Sequence, residues 1–232
     1  MKLTIVKGNI VHIHADAIVL PANSSLKEGP GASKAIFEAA GRKKLKAACE
    51  EKGPCRVGSA VPTQAFNMHA DYIIHAVVPK WVDGEHDEYN LLSSAYQTSL
   101  TIADLMGCDS VAFPLLASGN NGYDLELAFL IAKENIETFT GNNLKQVILV
   151  LYGEHAVSVA RKMQYDVMDI PEDIHKAKMD QIIQDAKEAA QTFIENRMLE
   201  AMKFLKDEKN QEMILENAIK LAKLAIKALE KA

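Results

Sequence analysis

The chain has little of what would tie it to a membrane, an oxidising compartment or duplex nucleic acid. Among 232 residues one is tryptophan and three are cysteine. Cys49, Cys55 and Cys108 are odd in number and match no zinc-ligand spacing, so neither a disulfide framework nor a metal site is expected. Cys49 and Cys55 could form a redox pair, but no Cys-x-x-Cys accompanies them, and reduced thiols are the simpler expectation. No apolar run approaches the ~20 residues of a membrane span. The start, Met-Lys-Leu-Thr-Ile-Val-Lys-Gly, lacks the layout of a signal peptide and reads as a first strand, so a cytoplasmic location is expected. The net charge is -5 with both signs interspersed, so no basic face for nucleic acid is expected. An acidic balance still permits a nucleotide ligand, because backbone N–H groups can hold phosphate without Lys or Arg.

Glycine and proline are missing from one part of the chain only. All 12 glycines lie between Gly8 and Gly153, and the last proline is Pro171. These residues punctuate folds that alternate strands and helices, and their absence permits long helices. A boundary is therefore expected near 166–171, with a first domain over 1–168 and a helical tail over 169–232. The tail reads as a two-helix hairpin. Ile182, Ile183, Ala186, Ala190 and Phe193 share one stripe, and Ile214, Ala218, Leu221, Ala222, Ala225 and Leu229 the other. Lys206 to Gln211 is the expected turn. The hairpin could be a structural appendage, or a device for homo-oligomerisation or partner docking. Its mixed charges argue against an amphipathic membrane anchor.

The first domain reads as alternating β and α. Expected strands are Leu3 to Val6, Ala17 to Leu20, Tyr72 to Val78, Ser110 to Leu116 and Gln146 to Tyr152. Several are continuous apolar runs, as in strands buried on both faces. Expected helices are Ser33 to Ala40, with Ser33 as a possible N-cap and Gly41 as its stop, then Glu88 to Leu105, Leu125 to Phe139 and His155 to Gln164. This order predicts a mixed, largely parallel sheet covered on both faces.

In such sheets ligands bind at the carboxyl ends of strands. Two loops there carry the chemistry. The first is Pro21 to Ser33. Gly29 and Gly31 allow close backbone approach to a diphosphate, and the following helix adds positive charge at its N-terminus. The Asn23 amide could bond a ribose hydroxyl or pin the loop. The second is Pro114 to Tyr123. Ser118, Gly119 and Gly122 can turn several N–H groups inward, and the Tyr123 ring could lie against a sugar or base.

Here the residues resemble a known family. Asp16-Ala17-Ile18-Val19-Leu20-Pro21-Ala22-Asn23-Ser24-Ser25-Leu26 is similar to the macrodomain signature, in which a strand ends in an Asn-Ala-Ala-Asn-like segment. Gly29 to Ile36 followed by Ala39-Ala40-Gly41 resembles the family's glycine loop and helix. His69-Ala70-Asp71-Tyr72-Ile73-Ile74-His75-Ala76-Val77 resembles its central strand, and Phe113-Pro114 through Gly122-Tyr123 its second phosphate loop. The likeness covers about residues 1–165 and does not reach the tail. It implies a three-layer α/β/α fold whose crevice holds ADP-ribose, free or attached to protein, with no further cofactor. By position, Asn9 and Ile10 lie where adenine is recognised, and Asn23 lies at the ribose. Gly29, Gly31, Ala32 and Ser33 stand on one side of the diphosphate, with Ser118, Gly119, Asn120, Asn121 and Gly122 on the other. Tyr123 lies near the distal ribose.

The sequence also departs from the family. Asn9 stands where Asp is usual, Leu20 replaces the first Asn of the signature, and Pro30 interrupts the glycine run. Hydrolytic members carry Asp where Ser33 aligns and His where Phe37 aligns. Without that carboxylate no evident group orients a water, a loss worth roughly 10²–10⁴ in rate. Asp124 stands where Pro is common and reads as a helix N-cap. His69 and His75 read as structural, His12 and His14 as surface residues. His86, Asp87 and Glu88 read as the solvated start of a helix. The leading expectation is a module that binds ADP-ribose or mono-ADP-ribosylated protein with weak or no catalysis. The alternatives are a hydrolase that removes ADP-ribose from protein or deacetylates O-acetyl-ADP-ribose, with Asn23 placing the water, and a scaffold that acts through the tail.

Overall fold

The computed structural model describes residues 1–169, so the expected tail hairpin lies outside the described residues. Seven strands form one sheet. They are β1 (Lys2–Lys7), β2 (Ala17–Ala22), β3 (Ala60–Gln64), β4 (Tyr72–Val77), β5 (Ser110–Pro114), β6 (Gln146–Leu151) and β7 (Met168–Asp169). Their spatial order is β3-β4-β2-β5-β6-β1-β7, and only the β3–β4 pair is antiparallel. Five helices cover it: α1 (Ala32–Ala40), α2 (Arg42–Lys52), α3 (Glu88–Leu105), α4 (Leu125–Thr138) and α5 (Glu154–Lys162).

Period-two alternation splits the strand residues between two cores. Ile18 and Leu20 of β2, Ile73 of β4 and Val150 of β6 pack under α1 and α2, against Ile36, Phe37 and Leu45. Ala17 and Val19, Ile74, Phe113 and Leu149 face the other way, onto α3, α4 and α5. The result is the expected α/β/α sandwich with its mixed, mostly parallel sheet. None of the helices described is long and apolar enough to cross a membrane.

Register is pinned at the amino ends of the strands. The Asp16 carboxylate accepts from the N–H groups of Asp109 (2.7 Å) and Ser110 (2.9 Å). Its carbonyl accepts from Asp71 and Tyr72. One residue therefore aligns the starts of β2, β4 and β5, and so fixes where their far ends emerge.

Three elements lay outside the sequence reading: α2, β3 and the two-residue β7. Helix α2 buries only Leu45 and Cys49 on an otherwise charged surface. Strand β3 is an edge strand with Pro62 at its centre, a position where a missing N–H costs no ladder bond. All three cysteines are free, so Cys49 and Cys55 are not bridged.

Candidate functional site

Strands β4, β2, β5, β6 and β1 run parallel, so their carboxyl ends share one rim of the sheet. β2 and β5 are neighbours there, with axes about 4.8 Å apart. The chain leaves β2 for α1 on one face and leaves β5 for α4 on the other. Connections that diverge from adjacent parallel strands open a crevice between them. The loops that hold residues 29–33 and 118–122 thus leave neighbouring strands at the same rim of the sheet.

The first loop is short and self-braced. β2 extends through Pro21 and Ala22, two residues further than its apolar run suggests. Asn23 Oδ1 accepts from Ser25 Oγ (2.9 Å) and the Lys27 N–H (3.2 Å), and Asn23 Nδ2 donates to the Lys27 carbonyl (2.7 Å). The amide therefore pins the turn, and one of its two N–H donors remains for a ligand. Leu26 is held at φ 52 with its side chain buried beneath the turn.

Helix α1 starts one residue earlier than expected, and Ser33 is not its cap. Gly31 occupies that place at φ 64 and ψ -131, with no side-chain bond to the first turn. The Ser33 hydroxyl is 4% exposed and accepts from the Gly29 N–H at 3.0 Å. It closes the glycine loop from inside. The N–H groups of the first turn, from Ala32 onward, have no acceptor within the helix and carry its positive pole. A helix start without a side-chain cap leaves N–H groups that can receive an anion.

The second loop is tied at both ends. The Leu116 N–H donates to the Tyr96 hydroxyl and Ser118 Oγ to the Leu115 carbonyl. The Gly122 N–H donates back to Gly119. Ala117 adopts φ 63, and Asp87, on the next loop of the same rim, φ 61. Among the described residues five non-glycine residues have positive φ, and three of them (Leu26, Asp87 and Ala117) lie on rim loops. Such strain persists where the surroundings impose it, commonly at ligand sites. Asp124 then caps α4, accepting from Glu126 and Leu127, as the sequence suggests.

Tyr123 is placed differently from its sequence reading. It is 5% exposed, its hydroxyl donates to the Glu88 carbonyl at 2.7 Å, and its ring meets Trp81 edge-on. It is a strut under the loop and leaves little ring surface for a sugar. Asn121 also faces inward, donating to the Pro79 carbonyl, whereas Gly119 and Asn120 are exposed.

At the end of β1, Asn9 begins a single 3-10 turn (Ile10–His12) and its Oδ1 accepts from the Val11 N–H at 3.3 Å. Its amide N–H groups are left as donors. Ile10 is buried in the core on the α1 side.

Glu88 overturns the solvated reading of the start of α3. It is 1% exposed, and both oxygens accept backbone N–H bonds from the turn 82–86. Burial pushes its carboxyl up, but the backbone N–H bonds together outweigh that and hold it down at about 2. The fold brings ligand-type atoms of Asp83, His86 and Glu88 within 4.8 Å of one another, a grouping the sequence spacing does not show. A cation there would have to displace those N–H donors from Glu88, and His86 Nδ1 already lies 2.9 Å from Asp83 Oδ1.

His75 is structural, as expected. It is fully buried, lies 2.9 Å from Thr63 Oγ1, and contacts Cys49 Sγ at 3.8 Å. Two hollows among the described residues lie off the carboxyl rim. One of about 630 Å³ runs between α2 and β3, and one of about 510 Å³ at the amino rim includes His14, Asp16 and His69. The rings of His14 and His69 are 5.0 Å apart.

Comparison with known proteins places this geometry. The Macro domain family model matches residues 19–132. A macro domain-containing protein of Caldanaerobacter subterraneus is 41% identical over 172 residues, covering 72% of this chain and 98% of that protein. An O-acetyl-ADP-ribose deacetylase of Pantoea vagans is 42% identical, covering 65% and 91%. The structure of an Oceanobacillus iheyensis macrodomain mutant with ADPR superposes with a TM-score of 0.64 at 30% identity, over 69% of this chain and 90% of that one.

Proposed function

The chain belongs to the macrodomain family, and on that premise we propose that it binds ADP-ribose, free or attached to protein, in the crevice between residues 23–33 and 118–122. The observation that carries this is the pairing of β2 with β5. It sets two glycine-bearing loops and the uncapped start of α1 at one rim, where main-chain N–H groups can surround a diphosphate. Asn9 and Ile10 are assigned to the adenine, and Asn23 to the ribose through its one uncommitted amide N–H. Gly29, Gly31, Ala32 and Ser33 line one side of the diphosphate, and Ser118, Gly119, Asn120, Asn121 and Gly122 the other.

Binding with weak or no catalysis is the form of this reading that the loop chemistry favours. Residues 29–33 carry no carboxylate, the Ser33 hydroxyl is engaged with Gly29, and Phe37 is packed into the core. Calorimetry with ADP-ribose and AMP tests the reading. ADP-ribose is expected to bind more tightly, and equal or undetectable affinity for both ends it.

The second reading is hydrolysis of ADP-ribosyl esters. The Pantoea vagans deacetylase, with 42% identity, favours it. Asn23 would then place the water through its remaining N–H. Acetate release from O-acetyl-ADP-ribose measures this activity, and a rate unchanged in Asn23→Ala removes Asn23 from it.

A further inference from the structure

The Glu88 carboxylate gathers one turn of chain around itself. Oε1 accepts from the N–H groups of Val82 (3.0 Å), Asp83 (3.3 Å) and Gly84 (3.2 Å), and Oε2 from that of His86 (2.7 Å). Bonds from N–H to an ionised carboxylate are the stronger kind, and burial strengthens them further. The gathered turn closes on Trp81. Gly84 sits at φ 94, and a Cβ built on it would stand 3.2 Å from the indole, tighter than an ordinary contact, so glycine suits this close approach.

Trp81 in turn meets the second crevice loop. Its backbone N–H donates to the Asn121 carbonyl (2.8 Å), and Asn121 Nδ2 donates to the Pro79 carbonyl (2.9 Å). Its ring lies edge-on to Tyr123, with centroids 5.1 Å apart. The Tyr123 hydroxyl returns to the Glu88 carbonyl. The circuit therefore begins and ends on Glu88, once through its side chain and once through its backbone. Residues 118–122 hold two glycines and only short internal bonds, so this circuit supplies the order that the loop lacks.

We propose that Glu88 is a positioning residue for the crevice: it folds the turn 82–86 around Trp81, and that turn sets where residues 118–122 stand. It touches no ligand. Its functional meaning rests on the ADP-ribose reading above, because a loop ordered before the ligand arrives costs less to fix on binding.

The test uses the full chain, whose single tryptophan makes Trp81 emission a direct report on this turn. Glu88→Gln keeps the shape and one accepting oxygen but can set an amide donor against the His86 N–H. The expected result is a red-shifted Trp81 emission, a loss of about tenfold in ADP-ribose affinity, and little change for AMP, which lacks the second phosphate and distal ribose. Unchanged ADP-ribose affinity, or an equal loss for both ligands, overturns the proposal. Should Glu88→Gln fail to fold, Tyr123→Phe decides. It breaks the circuit at one hydroxyl, and a severalfold loss confined to ADP-ribose is expected; no loss overturns the proposal. If the unaltered protein binds no ADP-ribose, the functional reading has failed and the brace is judged on emission alone. A red shift in either variant then upholds it, and wild-type emission in both overturns it.

Discussion

The Leu116 N–H points at the Tyr96 hydroxyl, 3.0 Å away and shut off from water. Leu116 opens the second crevice loop, and Tyr96 lies midway along α3, with its ring against Phe113 of β5. Tyr96→Phe keeps the packing and strands the N–H. A buried donor left without an acceptor costs about 1–3 kcal/mol. Chemical denaturation should show that loss. A loss under 0.5 kcal/mol would mean the N–H finds another acceptor.

Gly31 holds a conformation open in practice to glycine alone, φ 64 and ψ -131, directly before the helix start that faces the crevice. A Cβ there meets nothing within 4 Å, so any penalty comes from the backbone. Gly31→Ala should cost about 1–3 kcal/mol of stability. Relief of that strain re-aims the N–H groups of Ala32 and Ser33, so ADP-ribose affinity should fall about tenfold or more. Gly107→Ala is the control, since Gly107 also has positive φ (75) and open space but follows α3 at the opposite rim. Calorimetry should show wild-type affinity for it.

Asp124 is the one capping side chain between the second loop and α4. Its Oδ1 accepts from Glu126 at 2.9 Å and Leu127 at 3.2 Å. Asp124→Ala should lower stability by about 1 kcal/mol, while Asp124→Asn keeps the acceptor and should lower it by only a few tenths. Thermal unfolding separates the two. Equal melting temperatures would show that the cap contributes nothing.

The two rim loops were legible in the sequence because strand and glycine patterns mark them. Apolar runs at 17–20, 72–78, 110–116 and 146–152 announce strands, and Gly29, Gly31, Gly119 and Gly122 mark the loops that follow two of them. What the sequence hid depends on which way a side chain turns. Ser33 reads as a cap by its place before an apolar stretch, but Gly31 begins the helix and turns the hydroxyl inward. Tyr123 reads as a ligand platform, yet Trp81 and the Glu88 carbonyl draw it under the loop. Glu88 itself resembles any acid in a first helical turn. Its one signal is the run Val82-Asp83-Gly84-Glu85-His86, whose glycine lets the chain fold back over the carboxylate. Helix α2 escaped because two buried residues, Leu45 and Cys49, make no stripe that periodicity can detect.

His75 gives the fold an acid-sensitive point away from the crevice. Burial first, and then the charge of Lys52, lower its pKa from 6.5 to about 4. Above pH 6.5 the imidazole is neutral whether the chain is folded or not, and contributes no slope. Between 6.5 and about 4 the unfolded chain binds a proton that the folded chain refuses, so stability falls as pH falls. Below about 4 both states are protonated and this contribution levels off. The full drop corresponds to about 3 kcal/mol. Glu88 acts in a lower window, between 4.5 and about 2, because its folded pKa is depressed. His86, whose pKa Asp83 raises, adds a slope of opposite sign near neutral pH, so the His75 effect is read by denaturant as the difference between the unaltered chain and a His75 variant across pH 7 to 4.5. His75→Gln retains a partner for Thr63 Oγ1 and does not titrate, so it should lose less stability than the unaltered chain as pH falls over that range. A slope equal to that of the unaltered chain would place the titrating group elsewhere.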